Sequence, residues 1–163
     1  MDIQLNEAEQ RLSQFLAKQR HANARSRGAA NRRIGGQSDF ETDLEGIATE
    51  IAVAKVFNVY PDLATDHIPD SDLLTKCGVT VDVKSTRYRN GKLLAVPWKK
   101  KGQSDFYVLV TGTFPTYRIA GAMASDDLLQ EKRMTDLGRG KGYAASQPEL
   151  QSIDEWLQEY GEI

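Results

Sequence analysis

Disulfides, membrane spans and a strong bias of charge are all missing from this chain. Its one cysteine, Cys77, excludes a disulfide framework and a zinc site built from several cysteines. No apolar run approaches the roughly 20 residues that a membrane span needs. The opening Met1-Asp2-Ile3-Gln4 lacks a basic stretch followed by an apolar one, so no secretory signal is expected and the default location is the cytoplasm. The formal net charge is only −2, and bulk charge therefore points to no class of partner. No internal repeat and no second domain is visible. What remains is 163 residues, 40% hydrophobic and 27% charged, enough for a single soluble domain with a core.

The most informative stretch is Val79-Thr80-Val81-Asp82-Val83-Lys84-Ser85-Thr86. Val79, Val81 and Val83 alternate with Thr80, Asp82, Lys84 and Thr86, the period of a strand with one buried face. The other face sets a carboxylate beside an ammonium. A charge in a strand suited to the interior needs a partner or a metal, because desolvating it alone costs several kcal/mol. Just upstream, Asp72-Leu73-Leu74-Thr75 reads as a short strand and Lys76-Cys77-Gly78 as a hairpin loop, with Gly78 at the left-handed position. Pairing Thr75 with Val79 puts Asp72 opposite Asp82, where cross-strand Cβ atoms lie about 5 Å apart. Two carboxylates that close repel unless a cation sits between them, and a divalent ion held by oxygen ligands does that.

Elsewhere the chain predicts a first helix to about Ala22, started by Asn6-x-x-Glu9. His21 to Gly36 reads as a loop or flexible arm carrying Arg25, Arg27, Arg32 and Arg33. Thr42-Asp43-Leu44-Glu45 spells a capping box for a second helix reaching Asn58, which assigns Glu45 to capping. Glu50 projects among Gly46, Ile47, Val53, Ala54 and Phe57, an unusual setting for a solvated acid. It is either a buried acid paired with an Arg or Lys, or an acid aimed at the same place as Asp82. Asn90-Gly91 predicts a turn that returns Lys92–Val96 antiparallel to the strand of Asp82. Trp98-Lys99-Lys100-Lys101 is a basic loop with one aromatic, either solvated surface or a grip on a phosphate backbone. Phe106–Val110 reads as a central strand and Tyr117–Met123 as another. Ser125 reads as the cap of a short helix through Glu131, 138–142 as a basic connector, and Asp154–Tyr160 as a terminal helix.

Glu50 on a helix, Asp72 on a strand and Asp82-Val83-Lys84 on the next resemble the PD-(D/E)XK nuclease superfamily. Within it the chain looks most like small phage-encoded nucleases. The resemblance covers about 42–133, with the basic helix and arm of about 1–40 ahead of that core. It implies an α/β fold of restriction-endonuclease type, a central mixed sheet of four to five strands flanked by helices. It also implies Mg²⁺, or Mn²⁺, held by Asp72, Asp82, the Val83 carbonyl and Glu50. Lys84 would orient or activate a water. The literal Pro-Asp pair is Pro69-Asp70, so Asp70 stays open as the first acid. The expected partner is nucleic acid, most readily DNA, gripped by Arg25, Arg27, Arg32, Arg33, Trp98, Lys99, Lys100 and Lys101. Nucleases of this size that cut both strands often act as homodimers, in the host cytoplasm if phage-encoded. The competing expectations are a non-catalytic binding or assembly module on the same fold, and a plain domain in which these charges are structural ion pairs.

Overall fold

The two most apolar strands of the chain lie side by side at the centre of a sheet. The computed structural model describes residues 1–26, 28, 38–65, 71–138 and 140–161. The chain begins with β1 (Asp2–Gln4), α1 (Glu7–Ser26) and α2 (Asp39–Phe57). There follow β2 (Leu73–Leu74), β3 (Thr80–Thr86), β4 (Leu93–Ala95), β5 (Phe106–Thr113) and β6 (Thr116–Ala124). It closes with α3 (Ser125–Leu128), β7 (Met134–Asp136), β8 (Lys141–Ala145) and α4 (Ile153–Tyr160). Five strands form a mixed sheet in the order β1-β6-β5-β3-β2, and three form a second sheet in the order β4-β8-β7. The α/β class and the central mixed sheet agree with the expectation. Among the described residues, no helix is long and apolar enough to cross a membrane.

Strand period divides the large sheet into two faces. Val81, Val83, Val108, Val110 and Ile119 point to one side, where they pack with Ile47, Ile51 and Ala54 of α2, Leu16 of α1 and Trp156 of α4. Tyr107, Leu109 and Met123 point to the other side, under Leu93 and Ala95 of β4, Ala145 of β8 and Leu128 of α3. The result is three layers: helices, large sheet, small sheet.

The β2–β3 hairpin has the expected register. Leu73 pairs with Val81 and Leu74 with Thr80. The Thr75 amide donates to the Val79 carbonyl at 2.9 Å, and Gly78 takes φ +84°. The other neighbour of β3 differs from the expectation. β3 runs parallel to β5, with Asp82 beside Tyr107 and Lys84 beside Leu109. β4 instead leaves the plane and pairs with β8. A turn forms one residue earlier than expected, centred on Arg89 and Asn90, with the Gly91 amide donating to the Tyr88 carbonyl at 2.9 Å. A turn sets only the local reversal. The buried side chains of Leu93 and Ala95 then go where they cover the far face of the sheet, and β5, apolar on both sides, fills the central position.

Helix boundaries shift for equally local reasons. The Asn6–Glu9 cap forms, with the Asn6 amide donating to Glu9 Oε2 at 2.7 Å and the Glu9 amide to Asn6 Oδ1 at 2.9 Å. Its helix then continues past Ala22 to Ser26. The added turn is held to α2 by His21 Nδ1 on Asp43 at 2.7 Å and by Arg25 on Asp39 at 3.0 Å. The helix α2 begins one turn earlier than expected. Ser38 and Glu41 make the reciprocal cap, at 3.2 and 2.7 Å, in place of Thr42 and Glu45. Glu45 instead accepts the Phe114 amide at 3.0 Å and the Tyr117 hydroxyl at 2.7 Å, anchoring the β5–β6 turn. The cap of α3 is Ala124 and not Ser125, and the helix stops at Leu128. The stretch expected as a connector is the turn of the β7–β8 hairpin, closed by the Leu137 amide on the Gly140 carbonyl at 2.9 Å.

Candidate active site

Asp82 sits on the β4-facing side of β3, beside Tyr107, and is 3% exposed. An isolated carboxylate at that depth would be strongly disfavoured. Two ammonium groups compensate it. Lys84 Nζ contacts one carboxylate oxygen, and Lys99 Nζ lies 2.6 Å from the other. Lys84 also stands over the Tyr107 ring, 5.9 Å from its centroid, in reach of a cation–π attraction. The Tyr107 hydroxyl is buried and, among the described residues, has no hydrogen-bond partner. Burial first, then Asp82 and Asp72, push that phenol well above its ordinary range.

Asp72 precedes β2, close enough to Asp82 for the two charges to interact. Its amide donates to the Val81 carbonyl at 3.0 Å, and its Oδ2 accepts the Val83 amide at 2.6 Å. The side chain thereby continues the ladder where β2 has not yet begun. Burial and the Asp82 charge push its carboxyl up to about 6, against the Val83 amide and the two lysines. Val83 contributes its backbone here, while its side chain packs among the helices.

Glu50 comes from α2, on the helical side of the sheet. Its carboxylate meets Arg20 at 3.1 Å. Arg20 also donates to the Asp62 carbonyl at 3.0 Å and the Ala64 carbonyl at 2.9 Å, strapping that segment to the helix pair. Burial and the neighbouring Asp72 charge outweigh Arg20 and push Glu50 up to about 8. A row of charges therefore runs Arg20, Glu50, Asp72, Asp82, then Lys84 and Lys99. Asp72, at the sheet edge, is the link between the two sides. It lines an outer pocket of about 410 Å³ with Tyr60 and Asp62, whereas Lys84 lines a separate groove of about 790 Å³.

A divalent ion is the counter-charge expected from the sequence, and Asp72 and Asp82 are hard oxygen donors of the kind such an ion takes. Mg²⁺ binds through one or two carboxylates and keeps waters. Among the described residues, no group of three or more acidic, His or Cys side chains is gathered closely enough to form an all-protein ligand set. Asp72 and Asp82 are the two carboxylates such a site would use, while Glu50 is engaged by Arg20.

The basic residues divide. Arg25 turns inward to Asp39, Lys99 belongs to the Asp82 cluster, and Lys101 pairs with Asp126 at 3.1 Å. Trp98 and Lys100 are exposed. Arg27, Arg32, Arg33 and Asp70 lie outside the described residues. Sequence reasoning missed two participants, Tyr107 and Arg20, and gave Lys99 only to a phosphate backbone. Lys99 is indistinguishable by letter from Lys100 and Lys101. Tyr107 joins only through the β3–β5 pairing. Arg20 was visible as one basic residue among many, and only the helix pairing selects it. Comparison with family models, curated proteins and solved structures found no match for this chain.

Proposed function

We propose that this chain is a metal-dependent nuclease on a restriction-endonuclease-like fold, hydrolysing phosphodiester bonds in DNA. The observation that carries the reading is the neighbouring pair of Asp72, just before β2, and Asp82 on β3, with Lys84 two residues further along β3. Convergent, buried groups of opposite charge, with the carboxyl pKa values of Asp72 and Glu50 raised, support a working site.

Asp72, Asp82 and the Val83 carbonyl would hold the ion. When bound, a divalent cation there lowers the pKa of a coordinated water and stabilises charge on the scissile phosphate. Asp72 and Asp82 would surrender their mutual repulsion to it. Lys84 and Lys99, now sharing Asp82, would be left with ammonium groups to place against phosphoryl oxygens, where negative charge grows. Glu50 would hold a proton near neutral pH and accept or return one at the Asp72 side of the site.

The test is incubation of the purified chain with labelled duplex, branched and single-stranded DNA and RNA, in Mg²⁺, Mn²⁺ or EDTA. Products in the metal lanes only, absent from Asp82→Asn, are expected. Absence of cleavage in every lane would sink the proposal. A second reading has its own support: both Asp82 oxygens and Glu50 already have cationic partners. On that account the row of charges is structural, the chain binds nucleic acid without cutting it, and divalent ions leave its melting temperature unchanged.

A further inference from the structure

Beside Lys84, the turn after β3 and the segment after β4 enclose the groove of about 790 Å³, within the range of pockets that hold organic ligands. Its walls combine two chemistries. Leu94, Val96 and Pro97 make it apolar, and Lys84, Lys92 and Lys141 make it cationic. Among the described residues lining it none is acidic. Two aromatic rings border it, Tyr88 at 69% and Trp98 at 55% exposure. Tyr88 is flanked by exposed Arg87 and Arg89.

We infer that this groove binds an unpaired nucleic-acid strand, with bases stacked on Tyr88 and Trp98 and phosphates on Lys92 and Lys141. The charge is complementary to a polyanion. A duplex presents phosphates and sugars to its surroundings and keeps its base faces stacked inside, so apolar walls and open rings gain little from it. An unpaired strand presents base faces, and stacking on an aromatic side chain is sequence-tolerant because every base has one. Lys84 lines the groove and contacts Asp82, so a strand lying there passes directly to the acid pair. The strand's role as substrate rests on the nuclease reading. It narrows that reading to nucleic acid with a single-stranded portion.

The experiment measures binding of the full chain in EDTA, where no cutting is required. The probes are labelled oligothymidylate, its duplex with oligoadenylate, and the RNA counterparts of both. The single strand is expected to bind at least about tenfold tighter than its duplex, and to quench emission from Trp98. Trp98→Ala should weaken single-strand binding by about tenfold, within the range for loss of one stacked base, while Trp98→Phe restores most of it. Lys92→Ala combined with Lys141→Ala should flatten the salt slope for the single strand by about 1.4. The DNA and RNA arms report which sugar the groove prefers, and preference for the single strand in either supports it. Equal affinity for strand and duplex, or indifference to Trp98→Ala, would overturn it. A chain that binds through Trp98 yet cuts nothing in Mg²⁺ keeps the groove and loses the nuclease reading. A chain that cuts duplex and ignores Trp98→Ala does the opposite.

Discussion

The two faces of strand β3 obey different rules. Val81 and Val83 point into a continuous apolar layer made with α1, α2 and α4, and nothing charged interrupts it at Val108 or Val110. Asp82 and Lys84, alternating with them, face a layer that the small sheet covers incompletely, where an acid, two lysines and an orphan phenol are packed together. One face is replaceable by any apolar set of the right volume. The other is defined by which charges neighbour which. A single strand can thus carry stability on one side and chemistry on the other, because its period of two keeps them apart.

The sharpest way to break this contrast is to move a charge across the strand. Val108→Asp, on the helical face, would bury a carboxylate among apolar side chains and should abolish cooperative folding, seen as loss of a thermal transition by circular dichroism.

Asp82→Asn, on the opposite face, should keep a cooperative transition within about 2 kcal/mol of the wild type, because Lys84 and Lys99 retain paths to water and the repulsion with Asp72 is relieved. Mg²⁺-dependent cleavage should vanish. Added Mg²⁺ should raise the wild-type melting temperature and raise that of the variant much less. If wild type ignores Mg²⁺ and Mn²⁺ while the variant is clearly destabilised, the charges are structural.

A finer test uses Glu50, whose carboxyl is shifted upward from 4.5 to about 8. A carboxyl held protonated by the fold stabilises the native state below its unfolded pKa, and that contribution is lost as pH rises through the folded value. Wild type should therefore lose stability relative to Glu50→Gln between about pH 4.5 and 8, by several degrees in melting temperature on the scale of about 2–4 °C per kcal/mol. Parallel curves for the two proteins over that range would show that Arg20 keeps Glu50 ionised.

The smallest expected effect separates neighbouring lysines. Lys99→Ala frees an Asp82 oxygen that an ammonium now occupies, and should enlarge the Mg²⁺-induced rise in melting temperature. Lys100→Ala, an exposed position, should change stability by no more than about 0.5 kcal/mol and leave the Mg²⁺ response alone. Equal responses from both variants would remove Lys99 from the site.

What could be read in the letters was local. The register expected to place Asp72 against Asp82 follows from one short loop with a left-handed glycine, and the structure keeps it at Leu74–Thr80 and Leu73–Val81. The parallel pairing of β3 with β5 was not legible, because the partner lies beyond another strand and a basic loop, and parallel pairing leaves no turn signature. Ser38-x-x-Glu41 and Thr42-x-x-Glu45 are spelled alike. Tertiary contact decides between them, since Glu45 is claimed by Phe114 and Tyr117. The acids were found because an acid in an apolar pattern is conspicuous. Lysines in a run of lysines are not.

The pairing of β1 with β6 sets an order of events in time. Asp2 lies beside Arg118, and the Met1 ammonium donates to the Ile119 carbonyl, 118 residues further along the chain. During synthesis, at about 5–20 residues per second, β1 must wait several seconds or more for its partner. The α1–α2 hairpin, whose ion pairs are close in sequence, can assemble meanwhile with its apolar face uncovered. The edge of the sheet is therefore sealed by residues made long before their partner, and the nascent chain is most exposed to misassociation before Thr116–Ala124 appears.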